Sequence, residues 1–133
     1  SFKMYLNDVG LLRKKTDLDS KVIIEENKLF QEFKGALTEN YVLQTLVANG
    51  LKPYYYTFDN KYEIDFIIQY QNEIIPIEVK SGKSVNNTSL KVYNEVNKPK
   101  TRIRLSMKNL SKDDNLINIP LFMIEYLKEF IEI

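Results

Sequence analysis

The stretch that most constrains the fold runs from Tyr62 to Gly82. Two apolar-rich runs, Tyr62-Glu63-Ile64-Asp65-Phe66-Ile67-Ile68 and Ile74-Ile75-Pro76-Ile77-Glu78-Val79-Lys80-Ser81-Gly82, flank a polar Gln71-Asn72 pair. Such runs around a short amide-rich break read as two strands joined by a turn. Alternate side chains of a strand share a face. Glu63 and Asp65 are therefore expected on one face, with Ile64 and Phe66 on the other. Likewise Glu78 and Lys80 share a face, opposite Ile77 and Val79. Two carboxylates and an amine thus converge at the end of an apolar sheet. Pro76 has no N–H to give to a ladder, so an unpaired side or a bulge is expected there.

The chemistry open to these groups is narrowed by what the chain lacks. Its 133 residues contain no cysteine and no histidine. Disulfide scaffolds, Cys/His zinc sites, cysteine nucleophiles and Ser-His-Asp triads are excluded. Catalysis must use carboxylates, lysines, tyrosines or a metal held by oxygen. The length suits one domain, residues 1–133. With 44% hydrophobic and 28% charged residues, the composition is that of a globular protein, so neither wholesale disorder nor a membrane span is expected. No secretion signal is visible, and the default expectation is cytoplasmic.

The net charge of +1 conceals a basic block. Residues 80–108 carry eight basic groups and one acidic group, whereas residues 1–79 carry nine basic and twelve acidic. A block of this kind directly after the carboxylate strands reads either as a phosphate-attracting patch or as a solvated lysine-rich face.

Around the centre, the rest of the chain reads as follows. Phe2 to Leu12 is a short extended piece, and Asp17 or Asp19 suits the cap of a helix reaching about Asn27. The abrupt apolar start suggests a domain excised from a longer protein. Leu29 to Asn49 is the best helix, closed by Gly50, which suits the left-handed position after a helix. Its apolar arc of Phe33, Ala36, Leu37, Tyr41, Leu43, Leu46 and Val47 includes Glu39. A carboxylate there must be paired, protonated or bound to a cation, or else reach solvent from the edge of the arc.

Tyr54-Tyr55-Tyr56-Thr57-Phe58 reads as a strand that turns through Asp59-Asn60-Lys61 into the Tyr62 strand, giving a three-stranded meander. A helix is expected over 89–96, a strand alternating basic and apolar residues over 100–105, and a short strand over 115–119. After Pro120 an amphipathic helical segment begins at Leu121. The element order is helix, three strands, helix, strand, then a short strand and helix.

Magnesium prefers hard oxygen ligands and usually takes one or two protein carboxylates, filling its remaining positions with water and phosphate oxygens. Asp65 and Glu78 on neighbouring strands fit that demand, and a backbone carbonyl near Val79 is a further candidate ligand. Lys80 is placed to orient or deprotonate an attacking water or to stabilise a pentacovalent phosphate. Glu39 on the preceding helix is a candidate to complete the site.

This order of residues resembles the PD-(D/E)XK nuclease superfamily, with Ile64-Asp65 where the signature has Pro-Asp. The longer wording is similar to an uncharacterised domain family attached C-terminally to AAA+ type ATPases of prokaryotes. It is carried by Lys-Gly-Ala-Leu-Thr-Glu-Asn-Tyr-Val (34–42), Glu-Ile-Asp-Phe-Ile (63–67), Ile-Pro-Ile-Glu-Val-Lys-Ser-Gly (75–82), Ser-Leu-Lys (89–91), Ile-Asn-Ile-Pro-Leu (117–121) and the run from Tyr5 to Leu12. The resemblance implies an α/β fold of restriction-endonuclease-like type, a mixed central sheet flanked by helices in the order α-β-β-β-α-β.

It also implies a metal-dependent nuclease-like domain acting on DNA, with magnesium or manganese held by Asp65 and Glu78, and with Lys80 and Glu39 in support. Lys83, Lys91, Arg102 and Arg104 are the candidate phosphate contacts. An ATPase domain of the same full-length chain is the expected partner. No G-x-x-x-x-G-K-[ST] stretch occurs, so ATP is expected only in that missing domain. No membrane partner is expected, and the sequence leaves homo-oligomerisation open. The alternative from another class is a non-catalytic nucleic-acid or protein-binding module that regulates the ATPase.

Overall fold

Period-2 patterning and tight turns build most of this fold. The structure, a computed structural model, describes residues 28–82 and 88–132, with side chains from residue 33 onward. The extended piece over 2–12, the helix expected from Asp17 or Asp19, and Lys83 lie outside the described residues.

The elements, in order, are α1 (Lys28–Ala48), β1 (Tyr54–Phe58), β2 (Tyr62–Tyr70), β3 (Glu73–Val79), α2 (Thr88–Asn97), β4 (Arg102–Ser106), β5 (Ser111–Asp113) and β6 (Leu116–Pro120). A 3₁₀ turn, Leu121–Tyr126, leads into α3, Leu127–Ile131. The chain divides into two units, Ser1–Gln44 and Thr45–Ile133. In the first, α1 buries Val42 and Asn40, and the Asn40 amide makes no hydrogen bond among the described residues.

In the second unit, the last turn of α1 closes as the sequence requires. Gly50 takes φ 80°, while Gly50 N–H donates to Val47 O and Leu51 N–H donates to Leu46 O, both at 3.0 Å. These two bonds satisfy carbonyls that the end of a helix leaves without partners.

The six strands form one mixed sheet in the order β1-β2-β3-β4-β6-β5. β1, β2 and β3 are the expected antiparallel meander. Their turns place Asp59 and Asn60, then Gln71 and Asn72, at positive φ, the conformation of hairpin turns whose twist matches the strands. From β3 the chain crosses through α2 to β4, which runs parallel to β3, and β6 in turn runs parallel to β4. The β3/β4 ladder begins at Ile77, one residue after Pro76. Proline thus occupies the last position of β3 before a second neighbour needs its N–H.

Ile75, Ile77, Ile103, Leu105, Ile117 and Ile119 are buried. The pairings Ile77 with Ile103 and Ile103 with Ile117 put them on one face, as parallel neighbours in register must be. Each such side chain contributes about 1.5–3 kcal/mol of burial free energy.

Two features depart from the sequence reading. β5, an antiparallel partner of β6, was not expected, because Ser-Lys-Asp carries no apolar signal. β2 also does not alternate strictly. Tyr54 pairs with Ile67 and Tyr56 with Ile64, so two steps on β1 face three on β2. This is a bulge, which bends its strand and re-aims side chains. Ile64 and Ile67 accordingly join the same cluster, with Leu90 and Tyr93 of α2 and Leu116 of β6. Asp65 lies inside that irregularity.

Candidate active site

Asp65 and Glu78 are carboxylates in a place where carboxylates are rarely buried, each below a tenth exposed (8% and 7%). The bulge places Asp65 so that its Oδ2 accepts the Val79 N–H at 2.8 Å. A side chain thereby takes a backbone donor at the end of β3. One residue further, the Lys80 N–H donates to Leu105 O at 2.8 Å, holding the chain end against β4. Glu78 and Lys80, two apart on the same chain, meet with Nζ 3.1 Å from Oε1. The lysine side chain is 28% exposed, so its ammonium is reachable from solvent.

Three of the four residues expected to do chemistry are therefore brought to one sheet end. Glu39 lies on α1 within the N-terminal unit, half-buried. Glu63, which shares a strict-alternation face with Asp65, is exposed. The bulge separates the two acids.

Among the described residues no group of three or more His, Cys, Asp or Glu side chains is gathered tightly enough to hold a metal by itself. Two hard oxygen donors from adjoining strands, fixed by a backbone hydrogen bond and an ion pair, nonetheless match magnesium, which retains several waters and takes few protein carboxylates.

Beside the carboxylates lies a basic cavity. Arg104 is the in-register partner of Glu78 across the β3/β4 ladder. Arg102, two residues away, shares its face of β4. Each arginine is held by an asparagine of the next strand region. Arg102 Nε donates to Asn115 Oδ1 at 3.0 Å, and Arg104 Nε donates to Asn118 Oδ1 at 2.9 Å.

The asparagines are themselves fixed. Asn115 Nδ2 donates to Asn94 Oδ1 and Pro99 O. Buried Asn118 accepts from Ser106 Oγ at 2.7 Å and donates to Lys108 O and Asn109 O. Burial lowers the proton affinity of Arg102 below the ordinary guanidinium value; Asp114 opposes this, Arg104 adds to it, and Asp113 opposes it more weakly. With Lys91, Ser111, Asp113 and Leu116 the two arginines line a cavity of about 420 Å³.

Lys91, Arg102 and Arg104, three of the four expected phosphate contacts, therefore meet in one place. Asn115 and Asn118 were missed by sequence reasoning. The only signal was a polar residue between Ile117 and Ile119, in a strand otherwise free to be wholly apolar.

Among known proteins, the family model described as "Domain of unknown function (DUF4143)" matches residues 34–123. That span includes Glu39, the three residues at the sheet end and the whole basic cavity. No curated protein matches the chain. No helix among the described residues is long and apolar enough to cross a membrane.

Proposed function

We propose, for a chain that belongs to the DUF4143 family over most of its length, a divalent-metal-dependent phosphodiesterase that acts on DNA. The reading includes the finer fold type, a restriction-endonuclease-like core, and a cytoplasmic place C-terminal to an AAA+ ATPase. The observation that carries it is the convergence of Asp65, Glu78 and Lys80 on one sheet end, with Asp65 Oδ2 on the Val79 N–H and Lys80 Nζ 3.1 Å from Glu78 Oε1.

In this reading Asp65 and Glu78 hold magnesium or manganese. The ion supplies Lewis acidity to a phosphate oxygen and a lowered pKa to a bound water. Lys80, beside Glu78, directs its side-chain nitrogen at the attacked phosphate, where negative charge grows as the water oxygen bonds phosphorus and the ester P–O bond breaks. The water's proton leaves to solvent, and the departing oxygen takes one up. Arg104, in register with Glu78, is one strand away, about 4.8 Å by sheet geometry. Nucleic acid on this face would meet the carboxylates, with the basic cavity one strand away.

The test is cleavage of supercoiled and linear DNA with magnesium or manganese. Asp65→Ala and Lys80→Ala are each expected to lose about a hundredfold or more in rate, with folding checked by circular dichroism. Equal activity in parent and variants, or no cleavage by the parent under any divalent ion, would leave the domain as a binding module instead.

A further inference from the structure

We propose that the cavity between α2, β4 and the β5/β6 hairpin is a seat for one phosphomonoester, the phosphorylated end of a nucleic-acid strand or a free nucleotide. It is not one stretch of a continuous backbone track. The proposal rests on the reading that this domain meets nucleic acid, but not on cleavage.

Four observations carry it. First, three cations from two elements, Lys91 on α2 and Arg102 and Arg104 on β4, face one cavity of about 420 Å³ rather than following one another along a surface. A volume of that size is in the range of small-molecule sites and exceeds the needs of a bare ion. Second, among the described residues none of the three forms an ion pair; the two ion pairs present there are Lys80 with Glu78 and Lys100 with Glu73. Arg104 repels Arg102, and Asp114 and Asp113 act on Arg102 in the opposite sense without closing an ion pair, so an arriving anion can still pair with both guanidinium groups.

Third, the arginines are pre-oriented. Their Nε atoms are fixed by neutral amides, Asn115 and Asn118, which position the guanidinium without consuming its charge. The terminal nitrogens stay available for a fork-shaped contact with phosphate oxygens, and little side-chain entropy remains to be lost on binding. Fourth, the charges match. The lining residues, three cations and Asp113, sum to +2, and Asp114, outside the lining, also acts on Arg102. A phosphomonoester carries about −1.5 to −2 near pH 7, whereas a phosphodiester within a chain carries a single negative charge. Ser111 adds a hydroxyl donor, and Asp113 an acceptor suited to a sugar hydroxyl or a base amino group.

The experiment measures fluorescence anisotropy of one single-stranded oligodeoxynucleotide with a 5′-phosphate, a 3′-phosphate or neither, binding to the 133-residue chain without divalent metal. At least one phosphorylated form is expected to bind about tenfold or more tightly than the unphosphorylated strand. Arg102→Gln, Arg104→Gln and the exposed Lys91→Gln are each expected to erase most of that ratio, while Lys61→Gln, exposed in the β1/β2 turn, keeps it.

Competition then separates the sources. Displacement by a deoxynucleoside monophosphate but not by equal inorganic phosphate assigns a nucleotide end, and equal displacement by both assigns the phosphate group alone. Equal affinity for all three strands overturns the proposal, as does a ratio that survives in Lys91→Gln and both arginine variants. Metal-free binding is blind to cleavage, so a failed nuclease test and a failed pocket test remain distinct results.

Discussion

The acidic and basic regions of this sheet are neighbours in register, Glu78 against Arg104, yet they are held by opposite means. At the acidic end the support is a backbone donor and a charge: Val79 N–H bonds Asp65, 14 residues away, and Lys80 pairs with Glu78, two residues away. In the basic cavity the support is neutral side chains, Asn115 and Asn118, which lie 13 and 14 residues beyond the arginines they hold. An acidic pair intended for a cation needs its charge confined, and backbone donors achieve that. An arginine pair intended for an anion needs its charge unspent, which an amide permits and a carboxylate would not.

This contrast is broken most forcefully at Asn118. Asn118→Ala removes the acceptor for Arg104 Nε and Ser106 Oγ and the donor for Lys108 O and Asn109 O. Leaving several part-buried or buried groups without partners is expected to lower stability by about 3–5 kcal/mol in urea unfolding. Asn118→Asp keeps the acceptor but pairs Arg104 with a charge, so it should fold better than the alanine variant yet weaken anion binding. A loss below about 1 kcal/mol for Asn118→Ala would mean the amide is not what organises the cavity.

Next comes Asp65, where stability and chemistry separate. Asp65→Ala strands the Val79 N–H and should cost about 1–3 kcal/mol. Asp65→Asn retains an acceptor oxygen and should stay within about 1 kcal/mol of the parent while losing the metal-dependent activity proposed above. If the asparagine variant cleaves DNA as the parent does, the carboxylate charge has no part in the reaction.

The unequal support explains what could be read beforehand. Helix α1, the meander, its turns and the stop at Gly50 follow from short-range rules, and so does the meeting of Glu78 with Lys80, which needs only a period of two. The position of Asp65 depends on a bulge. The residues 62–68 alternate well enough to suggest none, and it is the packing of both Ile64 and Ile67 against α2 that requires it. β5 exists because β6 offers a free edge, not because Ser-Lys-Asp favours a strand. The asparagine supports were hidden because an amide between isoleucines has no meaning until the parallel register sets it beside Arg104. Lys91, Arg102 and Arg104 were legible as a basic block, but their convergence on one cavity came only with the crossover through α2.

A smaller effect is expected at Lys80. Its ammonium is partly exposed but its partner Glu78 is buried, so Lys80→Ala should cost about 1–2 kcal/mol, still less than its expected effect on cleavage. A much larger loss would recast Lys80 as a structural partner of Glu78.

The smallest effect concerns pH and the helix that brings Lys91 to the cavity. Tyr93 on α2 is buried, with its ring edge-on to Tyr56 and Phe58 at 6.1 and 6.2 Å. Burial, and then the neighbouring Tyr56, raise its pKa above the ordinary 10.0. A raised value means that the folded state favours the neutral phenol. The associated stability is therefore complete below pH 10.0 and is lost as pH climbs from there through the raised value. Tyr70 is also raised, chiefly because its hydroxyl donates to Glu132 at 2.8 Å, but it is less buried than Tyr93. Tyr93→Phe should therefore flatten the fall in urea midpoint between pH 9 and pH 11 more than Tyr70→Phe does. Because α2 carries Lys91 and not the carboxylates, alkaline loosening should weaken anion capture before it disturbs the Asp65 bond to Val79. If Tyr93→Phe leaves the alkaline slope unchanged, or Tyr70→Phe flattens it more, the face of α2 is wetter than its packing indicates, and the support of Lys91 must come from elsewhere.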